Sequence, residues 1–143
     1  AAAADNMLAD RALLSVALHA VSCASRLSRG VRHEFASKGG VLTKSDTSPV
    51  TVADFGVQAL VTLFLREHAP ADRFRLVAEE EADALARDPE LLQTVTGLVN
   101  QHYPRASAAA AAAPPPRWAE ADVLDALSRG GDGGGDGGGG DGG

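Results

Sequence analysis

The sequence contains little of what several common classes of protein need. Its single cysteine, Cys23, excludes an internal disulfide and favours an intracellular compartment, with a plastid or mitochondrion left open. No unbroken apolar run reaches the ~18–20 residues of a membrane span, and no signal peptide is evident, so we expect no membrane partner. The four histidines show no zinc-ligand spacing, and no glycine-rich loop opens a helix.

Basic residues are also few, and they are unevenly spread. The 143 residues contain 13 Lys/Arg against 19 Asp/Glu, a net charge of −6. Residues 1–44 hold six Lys/Arg against three Asp/Glu, whereas residues 45–143 hold seven against sixteen. This balance argues against a nucleic-acid partner, which would require a basic surface. It is compatible with a cation-binding site and equally with an ordinary acidic soluble protein.

Two stretches lack any apolar pattern that would offset the entropy of ordering them. Residues 105–117 form an Ala/Pro-rich linker with six consecutive alanines and three consecutive prolines, and residues 130–143 are eleven glycines and three aspartates, a flexible tail. The chain is therefore predicted to fold over residues 1–104, with one more short helix of the same domain at 118–129.

Hydrophobic periodicity and helix-end signals predict the elements. A helix is expected over 8–29, extending to about Ser37 and ended by Gly39-Gly40. Its apolar stripe comprises Leu13, Leu14, Ala17, Val21, Ala24 and Leu27. A second is expected to start at Thr51. A third is expected over 88–101, with Asp88 as its cap. The short apolar run 74–78 is typical of a buried strand.

Acidic residues at two places could carry chemistry. Glu79, Glu80 and Glu81 directly follow the expected strand, where carboxylates often bind hard cations such as Mg²⁺. On these residues alone the acidic first turn of a short helix is the simpler interpretation. Asp54 follows Thr51 by three residues, which suits a helix cap, or a carboxylate that accepts a proton from water.

Two segments together resemble the 3'(2'),5'-bisphosphate nucleotidases of the inositol monophosphatase-like superfamily, and plant members most of all. Residues 43–56 read TKSDTSPVTVADFG, and residues 74–85 read FRLVAEEEADAL. The helix at 8–29 and the segment WAEADVLDALSRG are similar to features of the same family. The resemblance implies an α/β fold, a layered αβαβα sandwich, of which this chain would supply the mostly helical N-terminal portion and an incomplete sheet.

The resemblance also implies roles for individual residues. Glu79 matches a glutamate that binds catalytic Mg²⁺, Glu80 matches its supporting or water-mediated neighbour, and Asp54 matches the aspartate that helps activate the attacking water. Thr51 belongs to the same motif as a further catalytic candidate, as does Lys44 with a less defined role. No substrate-binding residue is assigned.

The sequence departs from the family pattern at one important point. The metal-binding motif D-P-I-D-G-T is absent, as is a later metal-binding aspartate. We therefore expect an N-terminal piece that is inactive alone. The resemblance implies that the whole protein is a lithium-sensitive, monomeric phosphatase of sulfur metabolism. That phosphatase would remove the 3'-phosphate from 3'-phosphoadenosine 5'-phosphate or its sulfated relative. The alternatives are an inositol polyphosphate 1-phosphatase and a non-catalytic truncated product.

Overall fold

A computed structural model describes residues 2–39, 48–70, 76–77, 80–104 and 117–128, with side chains from residue 5 onward. Every regular element in these residues is a helix. The five helices are α1 (Ala2–Ser37), α2 (Pro49–His68), α3 (Ala82–Ala86), α4 (Pro89–His102) and α5 (Glu120–Ser128). The expected linker 105–117, apart from Arg117, and the expected tail 130–143 lie outside the described residues.

Helix α2 is the centre of the bundle, because it contacts α1, α4 and α5. Its buried residues recur at spacings of three and four, which places them on one broad face. They pack with the buried faces of the neighbouring helices to form one core, whose largest fully buried side chains are Phe64, Leu27, Leu60, Leu85 and Leu127.

The buried face of helix α1 coincides only in part with the predicted stripe, of which Ala24 and Leu27 are buried. Ala20, Cys23, Leu27 and Val31 are buried, at spacings of three and four. The expected stripe is wrong at Leu14 and Val21, which are 59% and 61% exposed. The reason is that α1 has two apolar faces, and the other helices cover only one of them. The helix ends as expected, with Gly39 at a φ of 91°, a conformation that glycine adopts without strain.

Helix α2 begins two residues earlier than expected. Pro49 occupies its first turn, and the Ser48 hydroxyl accepts a hydrogen bond from the Val50 amide at 3.2 Å, so Ser48 rather than Thr51 caps the helix. Proline suits this position because its missing N–H would have no partner there in any case. The predicted capping pair of Thr51 and Asp54 is therefore wrong, and the cap does not explain Asp54.

The expected strand 74–78 does not form in the residues that are described. Leu76 and Val77 have no regular secondary structure, and Val77 is 75% exposed. A strand is stable only when neighbouring strands satisfy its backbone groups, and the described part of the chain contains none. The α/β prediction is thus confirmed only for its helical portion, and the remainder of the segment lies outside the described residues.

The last two helices follow local signals closely. Asp88 caps α4 as predicted, accepting a hydrogen bond from the Leu91 amide at 3.0 Å. Helix α5 starts at Glu120 rather than at Trp118, because the Asp122 carboxylate accepts from the Ala119 amide at 2.8 Å and fixes the first turn there.

Two helices have the length and composition that a membrane span would have, which differs from the expectation based on unbroken apolar runs. They are α1 over Asp5–Ser37 and α2. An apolar helix at the centre of a soluble bundle has the same composition, and α2 buries one face against three other helices.

Candidate functional site

Three polar residues lie along one side of the N-terminal half of α2. Thr51, Asp54 and Gln58 follow one another at spacings of three and four residues, which places them on neighbouring turns of the same helix face. Thr51 and Gln58 are half-buried, whereas Asp54 is exposed. The exposed carboxylate is therefore accessible to a water molecule or a ligand.

Gln58 connects this side of α2 to the acidic segment. Its Nε2 donates to the Glu80 carbonyl oxygen at 2.8 Å, and its Oε1 accepts from the Glu80 amide at 2.9 Å. The side-chain amide thus satisfies both backbone groups of one residue that lies 22 positions further along the chain. Each bond has the ordinary length of an N–H···O hydrogen bond.

These two hydrogen bonds attach the Glu80 backbone to the turn of α2 that follows Asp54. Side chains four residues apart on a helix have Cβ atoms roughly 5–6 Å apart, so Asp54 lies on the turn next to the one that Glu80 touches. The structure therefore attaches Glu80 to the helix that carries Asp54. Thr51 lies one turn before Asp54 on the same side.

Two other predicted residues, Glu79 and Lys44, lie outside the described residues. The sequence argument missed Gln58. The available signal was an amide at a half-buried position in the apolar run VQALV, one turn after Asp54. A buried amide in such a run requires hydrogen-bond partners, but the sequence does not indicate which.

The carboxylates in the described residues are the right type of ligand for a magnesium site, but too few of them lie together. Asp54 and Glu80 carry carboxylate oxygens, which Mg²⁺ prefers. Within the described ranges, however, no group of three or more His, Cys, Asp or Glu side chains is positioned to hold a metal ion. The described part of the chain therefore does not form a complete metal site by itself.

A second polar cluster lies at the other end of α2. Glu67 accepts a hydrogen bond from the Tyr103 hydroxyl and forms an ion pair with Arg117, whose guanidinium lies 5.0 Å from the centre of the Tyr103 ring. Asn100 fixes the adjacent Trp118 backbone, donating to its carbonyl at 2.8 Å and accepting from its amide at 2.9 Å. Thirteen residues of helix separate Glu67 from Asp54, or roughly 20 Å, so this cluster is remote from the first site.

Burial and hydrogen bonding change the acidity of Tyr103 in this cluster. Desolvation is the largest cause, and the hydrogen bond to Glu67 and the negative charge of Glu67 add to it, so the pKa of Tyr103 is raised above its ordinary value near 10. An open cavity of about 220 Å³ lies beside the cluster. It is lined by Leu63, Arg66, Glu67, Trp118, Asp122 and Asp125.

Comparison with known proteins shows which class of enzyme this chain is similar to. The chain is 44% identical over 91 residues to the 3'(2'),5'-bisphosphate nucleotidase of Oryza sativa, a match that covers 62% of this chain and 25% of the rice protein. It is 40% identical over 119 residues to a putative mitochondrial 3'(2'),5'-bisphosphate nucleotidase of Arabidopsis thaliana, covering 82% of this chain and 27% of that protein.

A third relative, the probable 3'(2'),5'-bisphosphate nucleotidase 3 of Arabidopsis thaliana, is 40% identical over 120 residues, or 82% of this chain and 32% of its own. The chain is homologous to the plant 3'(2'),5'-bisphosphate nucleotidases, which confirms the resemblance seen in its motifs. It spans a quarter to a third of the length of these relatives. No protein-family model matches the chain, and no solved structure matches it.

Proposed function

We propose that this chain supplies part of the active site of a phosphomonoesterase that removes the 3'-phosphate from 3'-phosphoadenosine 5'-phosphate and from its sulfated relative. The observation that carries the proposal is the attachment of the Glu80 backbone, through Gln58, to the helix that carries Asp54, in a chain homologous to bisphosphate nucleotidases. The helical bundle would form the outer layer of the family's αβαβα sandwich.

In this proposal Asp54 accepts a proton from the attacking water, since an exposed carboxylate on a packed helix is accessible to water. Thr51, one turn away, would orient that water. Glu79 and Glu80 would face a magnesium ion that, when bound, neutralises phosphate charge. The remaining metal ligands would come from residues that this chain does not contain, because its described carboxylates are too few.

We further propose that the complete enzyme is an intracellular monomer, and one relative is named mitochondrial. Its partners would be small phosphorylated molecules rather than nucleic acid or membrane, in line with the excess of acidic residues.

A chimera tests the proposal. The segment of the rice enzyme that corresponds to residues 48–104 is replaced by the residues of this chain, and phosphate release from 3'-phosphoadenosine 5'-phosphate is measured with Mg²⁺. We expect turnover within about tenfold of the rice enzyme, and a loss of about 10²–10⁴-fold for Asp54→Asn, the usual contribution of a proton-accepting group.

The control for this experiment is Asp83→Asn, which removes an exposed carboxylate from α3 and should leave turnover unchanged. An inactive chimera that is folded, as judged by circular dichroism, would overturn the proposal. Full activity of the Asp54→Asn chimera would overturn the role of Asp54. Inositol 1,4-bisphosphate is offered in parallel, and a clear preference for it would replace the nucleotide as substrate.

A further inference from the structure

We infer that Gln58 is a positioning residue, which holds the acidic segment that contains Glu80 against the turn of α2 that follows Asp54. The inference rests on the proposed function for the meaning of those two carboxylates. The contact itself does not depend on that function.

The chemistry of the side chain supports this role. A carboxamide carries a donor and an acceptor side by side, so it can bind the carbonyl and the amide of one residue at the same time, as a neighbouring strand would. Gln58 makes this pair of bonds with Glu80, at 2.8 and 2.9 Å. Methionine has a similar length but offers neither a comparable donor nor a comparable acceptor, and glutamate would lose the donor.

The place of Gln58 in the fold makes the contact rigid on one side. Helix α2 packs on three other helices, and Val57 and Ala59, which flank Gln58, belong to its packed surface. The Glu80 amide is part of the peptide bond that joins Glu79 to Glu80, and a peptide bond is planar. Because the Glu80 N–H is hydrogen-bonded to α2, the orientation of this peptide plane is set by α2, and so is the direction in which the acidic segment continues.

The segment needs such an anchor, because nothing regular precedes it in the described chain. Leu76 and Val77 belong to no helix or strand, and α3 starts only at Ala82 and has five residues. Reacting groups must be held within fractions of an ångström of their productive geometry, and a shift of about 1 Å lowers rates by about 10²-fold. A side-chain amide on α2 meets that need.

Hydrogen exchange on the full 143-residue chain tests the contact directly. We expect the Glu80 amide of Gln58→Met to exchange about five to ten times faster than in the unmodified chain, the range that corresponds to loss of one typical hydrogen bond. The matched control is Gln93→Met, the same change at an exposed position of α4, which should leave Glu80 exchange unchanged. Exchange at the unprotected rate in the unmodified chain, or equal rates with and without Gln58, would overturn the inference.

A double-mutant cycle in the chimera tests the positioning role. We expect Gln58→Met to lower kcat about 10–100-fold, while KM changes less than about threefold. When Asp54 is already Asn, the same substitution should lower kcat little further, because the two residues act as one unit. Equal costs of Gln58→Met with and without Asp54 would indicate only a structural role and overturn the inference. If the unmodified chimera is inactive the proposed function fails, and Glu80 exchange still decides whether Gln58 holds the segment.

Discussion

At the scale of single residues, two side-chain amides form the longest-range polar contacts to the backbone described above. Gln58 binds both backbone groups of Glu80, and Asn100 binds both backbone groups of Trp118. Each amide projects from a helix and fixes an irregular segment that would otherwise have backbone groups facing the bundle. Buried polar groups are almost always satisfied in this way. The residue type indicates that a partner exists, and only the fold specifies the partner.

Tyr103 offers a residue-scale prediction, because it is the single tyrosine of the chain. Burial, followed by the hydrogen bond to Glu67, raises its pKa. The absorbance of tyrosinate near 295 nm should therefore appear only well above the ordinary tyrosine pKa of about 10 in the native chain, and near 10 in urea. A native titration midpoint near 10 would contradict the buried contact.

The same shift has a consequence for stability. Because the pKa of Tyr103 is higher in the folded chain than in the unfolded chain, the protonated hydroxyl stabilises the fold. This stabilisation is complete below the unfolded-state pKa near 10, and it is lost as the pH rises from there toward the folded-state pKa. Urea midpoints measured at pH 8, 10 and 11 should fall above pH 10, and Tyr103→Phe should remove part of that fall.

At the scale of elements, helix ends are governed by local signals and helix faces are not. Asp88 caps α4 at the predicted residue, and Gly39 ends α1 where glycine was expected to end it. In contrast, α1 presents Leu14 and Val21 to solvent and buries Cys23 instead. A cap depends on three or four neighbouring residues, whereas the choice between two apolar faces depends on where α2 and α4 cross.

Two glycines provide a matched element-scale prediction. A Cβ on Gly56 would lie 3.1 Å from the nearest Leu27 methyl group, whereas a Cβ on Gly97 would meet nothing within 4 Å. Alanine in a helix interior gains about 0.5–1 kcal/mol over glycine, and crowding a packed core costs about 1–3 kcal/mol. We expect Gly97→Ala to raise the free energy of unfolding by about 0.5–1 kcal/mol.

The free energy of unfolding of Gly56→Ala should be about 1–2 kcal/mol lower than that of Gly97→Ala, because the fully buried Leu27 has to move to admit the methyl group. Urea unfolding monitored by circular dichroism measures both variants. Equal stabilisation by the two substitutions would show that α1 and α2 do not approach closely at Gly56.

At the scale of the whole molecule, the described helices form a bundle that leaves one apolar face exposed. Met7, Leu14, Leu18 and Val21 lie on one side of α1, and each is about three-fifths exposed. The chain also spans only a quarter to a third of the length of its relatives. The activity we propose therefore requires residues beyond these described helices.

We accordingly expect the isolated 143-residue chain to release no measurable phosphate from 3'-phosphoadenosine 5'-phosphate at millimolar Mg²⁺. A few carboxylates cannot hold magnesium firmly against its hydration shell. A colorimetric phosphate assay checks this, with the rice enzyme as positive control. Turnover near that of the rice enzyme would show that this chain holds a complete site and would overturn the proposed division of ligands.

The sequence by itself determined the local features of this protein. It predicted four of the five helices, one helix cap, the family resemblance and the acidic residues worth testing, because each depends on residues adjacent along the chain. The strand was not confirmed, since a strand requires partners that the described residues do not contain.

Only the tertiary structure decided which face of α1 is buried and which residues meet across the fold. The attachment of the Glu80 backbone to α2 depends on Gln58, whose amide reaches a backbone 22 positions away. Contacts over such distances result from the packing of whole helices, and no local pattern specifies them.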